Sequence, residues 1–282
     1  GSRTAAAGAI PGLIDLLLNG ASSKDQVYAA FALGALACNN PANQAVILEA
    51  GAISRLVALL GSLSASSKGR AYVVLALGNL AYDNPVNQAV IAREGAIPLL
   101  VALLGNGGAS LYHQASAAKA LGSLAFDPAN QAAIARAGAI PGLVALLRNR
   151  EASLVYRACA ADALANLAYA NPANPAAIVE AGAIPGLVAL LGNGGASLWD
   201  QAHAAKALAN LVYDPADQAA IAAADAIPGL VALLGNSGAS SWNQAYAAKA
   251  LGRLIDNDPA TQAEIVQAGV IPLLVALLEN RS

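Results

Sequence analysis

Apolar residues recur along most of the chain at intervals of three and four. In one clear stretch Ile140, Leu143, Val144 and Leu147 stand at i, i+3, i+4 and i+7, a single face of a helix. Punctuation on either side sets the limits of each helix. Asp127-Pro128-Ala129-Asn130 reads as a start, because Asp can accept from the free N–H groups and Pro suits the first helical position. QAAIARA follows as a short helix, and Gly138 stops it. A second helix begins at Ile140-Pro141 and ends at the polar run RNREAS. A longer third helix is predicted from about Leu154 to Tyr169. No segment alternates apolar and polar residues as a half-buried strand does.

The same three-helix pattern returns along the chain. Taking the residue before Ala-Ile (or Val-Ile) as an anchor gives Gly8, Gly51, Gly95, Gly138, Gly182, Asp225 and Gly269. The spacing alternates between 43 and 44 residues. A fixed period of this size marks stacked units, each covering its neighbour's apolar face. The one-residue irregularities fall in loops, where YDNPVN becomes FDPAN and where LNGASSK is short. Gly1-Ser2 is read as a cloning remnant. Residues 3–282 are read as one continuous array truncated at both ends, in which exposed ends would let copies associate.

A short helix, then AGAIP-x-LV-x-LL, then a long helix ending AL-x-N-L-A resembles the armadillo repeat family over essentially the whole chain. The resemblance implies an all-α, right-handed α-solenoid of about six three-helix repeats. It also implies a concave groove, lined by the third helices, that holds an extended peptide or protein segment.

One stripe of the third helices departs from the repetition. Trp199, His203, Lys206 and Asn210 are spaced +4, +3, +4 and share a helix face. The equivalent residues elsewhere include Tyr72 and Asn79, Tyr112 and Lys119, Asp162 and Asn166, and Trp242, Tyr246, Lys249 and Arg253. Lys24, Tyr28, Phe31 and Lys68 belong to the same stripe. Core positions stay Leu or Ala while these change. Both Trp residues of the chain lie here, with six cations against one acid, Asp162. Aromatic and Arg side chains are common anchors of interfaces. Asn79, Asn166 and Asn210 resemble the family's groove asparagines, which pair with the backbone of a bound peptide. The column one turn before them reads Phe31, Leu75, Lys119, Asp162, Lys206, Lys249, without the Trp of the family's nuclear-import receptors. A mainly cationic column repels basic localisation signals and favours acidic segments.

Composition narrows the function further. The chain has 57% hydrophobic and only 11% charged residues, against roughly 25% charged in typical domains. Much of the excess is Ala, which favours closely packed helices. Pro and Gly interrupt every apolar run before the roughly 18 residues of a membrane span. No signal peptide is visible, and Cys38 and Cys159 read as free thiols at tightly packed positions. A cytoplasmic or nuclear protein is expected. GNGGAS at 105–110 and 192–197 reads as a helix–helix turn, since no strand precedes it and no Lys-Ser/Thr pair follows. His113 and His203 have no second ligand at metal spacing. No cofactor and no catalysis are expected, and nucleic acid is not the expected partner. The reading is a binding scaffold for an acidic peptide. The alternative is a structural, self-associating or engineered array without a specific ligand.

Overall fold

The computed structural model describes residues 2–20, 22–63, 68–105, 109–212, 215–255 and 258–279. Every regular element among them is a helix. The helices form two compact units, Gly1–Gly142 and Leu143–Ser282.

In the first unit the second repeat comprises Pro41–Glu49, Ala52–Ser62 and Lys68–Ala81, and the third comprises Pro85–Arg93, Ala96–Gly105 and Leu111–Leu124. The third helix of the first repeat is Ser23–Ala37. First and second helices meet at 79° and 78° in these two repeats. The corner is one residue in the left-handed region, Gly51 at φ 70° and Gly95 at φ 87°, where a glycine carries no Cβ penalty. Gly138, Gly182 and Gly269 repeat it, and Asp225 does so at φ 63°. The predicted helix stops are therefore all present except the first. Ser2–Asn19 runs as one helix through Gly8 and Pro11, where the sequence predicts a break. No Asn/Asp-Pro start precedes Gly8 to launch a separate helix, and the Ala5–Ala7 run extends helix readily.

Starts follow the predicted chemistry. Asn40, Asn84 and Asp127 accept from the N–H groups of Asn43, Asn87 and Asn130, with Pro next in sequence. Ser110, Ser153 and Ser197 cap third helices, and Ser197 forms a reciprocal box with Asp200. The extra residue of the 44-residue repeats also has a place. The longer turns put Asp83 and Ala170 in the left-handed region at φ 52° and 51°, and Asn39 shares that turn at φ 51° in a 43-residue repeat whose LNGASSK loop is shorter. The shorter turn at Phe126-Asp127 has no such residue. Of GNGGAS at 105–110, residues 106–108 lie outside the described residues. The second copy is a turn, as expected, with Gly195 N–H donating to Asn193.

The second unit contains the third helices Leu154–Ala168, Leu198–Leu211 and Ser241–Ile255, and ends with Pro259–Gln267 and Val270–Glu279. Its second helices, Ala183–Leu191 and Ala226–Leu234, pack through the glycine of IPGLV. A Cβ on Gly186 would lie 2.9 Å from Leu147, and one on Gly229 would lie 3.0 Å from Leu191. In the first unit Gly142 meets Leu104 at 2.7 Å in the same way. These leucines are at least nine-tenths buried, each contributing about 1.5–3 kcal/mol of apolar burial. No single helix among the described residues is long and apolar enough to cross a membrane.

Alanine and glycine let the third helices approach closely. A Cβ on Gly34 would lie 2.6 Å from Ala76 Cα, and one on Gly78 would lie 3.3 Å from Ala120 Cα. This is where the alanine excess goes. Amides tie the first helix of a repeat to its third: Gln44 donates to the carbonyls of Asn79 and Tyr82, and Gln218 to that of Arg253. Those acceptors lie at third-helix C-termini, which leave carbonyls without helical partners.

Candidate functional site

In the first unit the variable stripe is open. Tyr28 and Phe31 are about half exposed, and Lys24, Lys68, Tyr112 and Lys119 are exposed. The Phe31 and Tyr72 rings lie 4.7 Å apart across two repeats. A cleft of about 300 Å³ lies among Lys24, Tyr28, Lys68 and Tyr72. A smaller one of about 100 Å³ follows, lined by Phe31, Tyr72, Leu75, Asn79 and Lys119. A third, about 180 Å³, shares Asn79 and Lys119 and adds Cys38, Tyr82 and Ser123. Shared residues make these one track across the third helices. Among the described residues, no hydrogen bond or ion pair engages the ammonium groups of Lys24, Lys68 or Lys119. Ser116 and Ser123 turn their hydroxyls back onto the carbonyls of Tyr112 and Lys119.

The second unit treats the same stripe differently. Asp162 accepts from Lys206 Nζ at 2.8 Å and pairs with His203 Nδ1 at 3.0 Å. Burial alone would raise the Asp162 pKa. The His203 hydrogen bond and charge, with the charge and hydrogen bond of Lys206, outweigh burial and hold it at about 2. Lys206 also donates to Asn166 Oδ1 at 2.7 Å and is buried. Asn210 donates to the Ala165 carbonyl and accepts from Lys249. Arg253 donates to the Ala209 carbonyl. Burial, then the charges of Arg253 and Lys206, lower the Lys249 pKa.

Aromatic rings complete this face. Trp199 lies 4.0 Å from His203, His203 lies 5.5 Å from Trp242, and Trp242 lies 4.7 Å from Tyr246, all edge to face. That geometry suits the ring quadrupoles. His203 is buried with no hydrogen-bond partner for Nε2, while Trp199 and Trp242 remain 49% and 41% exposed. The result is an aromatic shelf joined through His203 to the Asp162–Lys206 ion pair.

Several expectations need correcting. Lys206 is not a free surface charge: Asp162 lies one repeat earlier in the same column, and the two close on each other. Lys249 and Arg253 are likewise engaged by neighbouring repeats. Asn210 spends its amide on its own scaffold rather than holding it open, and Asn79 donates to the Gly34 carbonyl at 3.1 Å. His113 pairs with the cap residue Ser110 at 2.6 Å. Cys38 is exposed rather than packed, and Cys159 is half-buried. Among the described residues no group of three His, Cys, Asp or Glu side chains could hold a metal ion.

The sequence reading also overlooked exposed aromatics at the ends of third helices. Tyr82, Phe126 and Tyr169 are 49%, 53% and 58% exposed. Their signal is the aromatic residue that opens YDNP, FDP and YANP, just past each third helix.

Comparison with known proteins places this geometry. Residues 3–115 match the family described as the SIL1/FES1/HPBP1 C-terminal domain. No curated protein sequence matches the chain. Among solved structures, a crystal structure of an engineered protein is 33% identical with a TM-score of 0.78. That match covers 96% of this chain and 64% of the engineered one, so the chain spans less than two thirds of that protein. The designed armadillo repeat protein YIII(Dq)4CqI is 29% identical with a TM-score of 0.75, over 87% of this chain and 99% of its own. A related designed armadillo repeat protein, in complex with the peptide (KR)4, is 29% identical with a TM-score of 0.71, over 87% and 99% of the two chains. Period, three-helix unit, glycine corners and neighbours agree, and the chain belongs to the armadillo repeat family.

Proposed function

We propose that this repeat scaffold binds an extended peptide segment, non-catalytically, along the third-helix faces, and that the segment is acidic. The observation that carries the reading is the open track in the first unit, walled by Phe31 and Tyr72 and flanked by the unengaged lysines Lys24, Lys68 and Lys119. A neighbour of the same architecture is seen with a strongly basic peptide, which supports peptide binding on this scaffold. Lysines on this track call for the opposite charge. In the second unit the shelf of Trp199, His203, Trp242 and Tyr246 would take an apolar or aromatic side chain, since Lys206 beneath it is already paired with Asp162. Asn79 would meet the peptide backbone through its carbonyl oxygen, its amide being spent on Gly34.

The test is fluorescence anisotropy with a labelled peptide of alternating glutamate and leucine. Lys24→Glu, Lys68→Glu and Lys119→Glu together should weaken binding at least about tenfold, because three unpaired attractions become repulsions. Equal affinity for the triple variant would overturn the acidic-ligand reading. Lys206 is unsuitable for this test, because changing it breaks the Asp162 bridge and perturbs the fold.

A further inference from the structure

A further cleft of the first unit adjoins the lysine track, with which it shares Tyr82. It encloses about 560 Å³ between two successive turns from third helix to first helix. Tyr82-Asp83 and Pro85 form one wall, and Phe126-Asp127 and Pro128 form the other. Each wall thus offers a half-exposed ring and a carboxylate. The floor is polar but already satisfied: Gln88 is buried and donates to the Ala81 carbonyl at 2.9 Å.

The two helices that begin here, Pro85–Arg93 and Pro128–Arg136, do not make this an anion site. Proline supplies no N–H in the first turn, and Asn84 and Asp127 accept from the N–H groups beyond it. Asp127 gives one oxygen to that cap. Asp83 stands at φ 52° with its carboxylate unengaged among the described residues. The charge left facing the cleft is negative, and the flat surfaces are aromatic.

The chain itself shows what such a ring takes. Tyr169 occupies the equivalent position at the end of a third helix in the second unit. Lys249 Nζ sits over its ring, 5.7 Å from the centroid. There Ala170 replaces the aspartate, and a cation comes from the same chain. At Tyr82 and Phe126 the carboxylates are present as well.

We propose that the cleft between Tyr82 and Phe126 is a docking site for an arginine side chain of a partner protein. A guanidinium is planar and stacks on aromatic faces. It also presents paired N–H donors to a carboxylate. One such group between the two rings would reach Asp83 and the free oxygen of Asp127. The site borders the lysine track at Tyr82 but has the opposite charge preference, so a partner bearing both signs would be held in one orientation.

The chain has two phenylalanines, and they report separately. Phe31 belongs to the lysine track and Phe126 to the cleft. Protein carrying 4-fluorophenylalanine would be titrated with a Gly-Gly-Arg-Gly-Gly peptide and with its citrulline counterpart, followed by 19F NMR. The arginine peptide should move the Phe126 signal and leave Phe31 in place, and citrulline, uncharged but of the same shape, should bind at least about tenfold more weakly. Asp83→Asn with Asp127→Asn should weaken the arginine peptide by at least about tenfold without changing the melting temperature, since Asn caps a helix as well as Asp does. Movement of Phe31 alone, equal binding of citrulline, equal binding by the double variant, or no movement at millimolar peptide would each overturn the proposal. The lysine track stands or falls separately, on the acidic peptide.

Discussion

The two third-helix faces start from the same repeat and spend it differently. In the first unit Lys24, Lys68 and Lys119 project from the face, and clefts open between aromatic side chains. In the second, Lys206 and Asp162 lie one repeat apart in the same column and neutralise each other. Each engagement in the second unit, from Lys249 on Asn210 to Arg253 on the Ala209 carbonyl, occupies a polar group and ties two repeats together. A repeat array thus faces a local choice at every position of the stripe. A side chain either reaches the next repeat and stiffens the stack, or stays free for a ligand. The first unit mostly takes the second course and the second unit the first.

The sharpest way to break this contrast is to remove Asp162. Asp162→Ala leaves Lys206 buried without its counter-charge and should cost about 3 kcal/mol. Lys119→Ala, at the equivalent position in the first unit, should stay within about 0.5 kcal/mol. Urea denaturation followed by circular dichroism measures both. Equal, small effects would mean that Lys206 is as well solvated as Lys119 and that the faces do not differ.

Acid should act on the second unit in the same sense. Asp162 has its pKa depressed from 3.8 to about 2 in the fold. Its contribution is therefore fully present above the unfolded value and is lost as pH falls from about 4 to about 2. Roughly 2 kcal/mol is at stake at most, given partial exposure of the carboxylate. Both tryptophans of the chain, Trp199 and Trp242, sit on the shelf above it. Their fluorescence should change across that window in the parent protein, and the change should be absent in Asp162→Asn.

Packing between third helices offers a test of intermediate size. Gly34→Ala forces a methyl against Ala76 in the first unit and should destabilise by about 1–2 kcal/mol. Gly252→Ala, in a third helix of the second unit, meets nothing within 4 Å. It should stabilise by about 0.5–1 kcal/mol through better helix propensity and a less flexible unfolded chain. Opposite signs in thermal melts are the expected result.

The scaffold was far more legible in the sequence than the site. Local rules set the corners and caps, so Gly138, Pro141 and Asp127 could be read from immediate neighbours. Repetition multiplied that reading. The stripe could also be located, because +4, +3, +4 spacing fixes a helix face. What spacing within one helix does not show is engagement between helices. Asp162 meets His203 and Lys206 across 41 and 44 residues. The clue lay in the column itself, where the one acid directly precedes Lys206. Treating the column as a sum of charges hid a pair. Tyr82 and Phe126 were missed for a different reason. They lie where the repeat length varies, and a variable loop draws less scrutiny than a regular face.

The smallest expected effect concerns the turns that absorb the 44th residue. Asp83 in the first unit and Ala170 in the second share one left-handed conformation. Asn and Asp adopt it comparatively readily because their short polar side chains can hydrogen-bond locally, whereas an Ala Cβ crowds the following carbonyl at a cost of about 1–2 kcal/mol. Ala170→Gly removes that clash but loosens the unfolded chain, for a net gain of about 0.5–1 kcal/mol. Asp83→Gly relieves less and forfeits a carboxylate facing the cleft, so it should be neutral within about 0.5 kcal/mol in stability while weakening the arginine peptide. If Ala170→Gly proved destabilising in a thermal melt, the left-handed turn would not be where the longer repeat stores its extra residue.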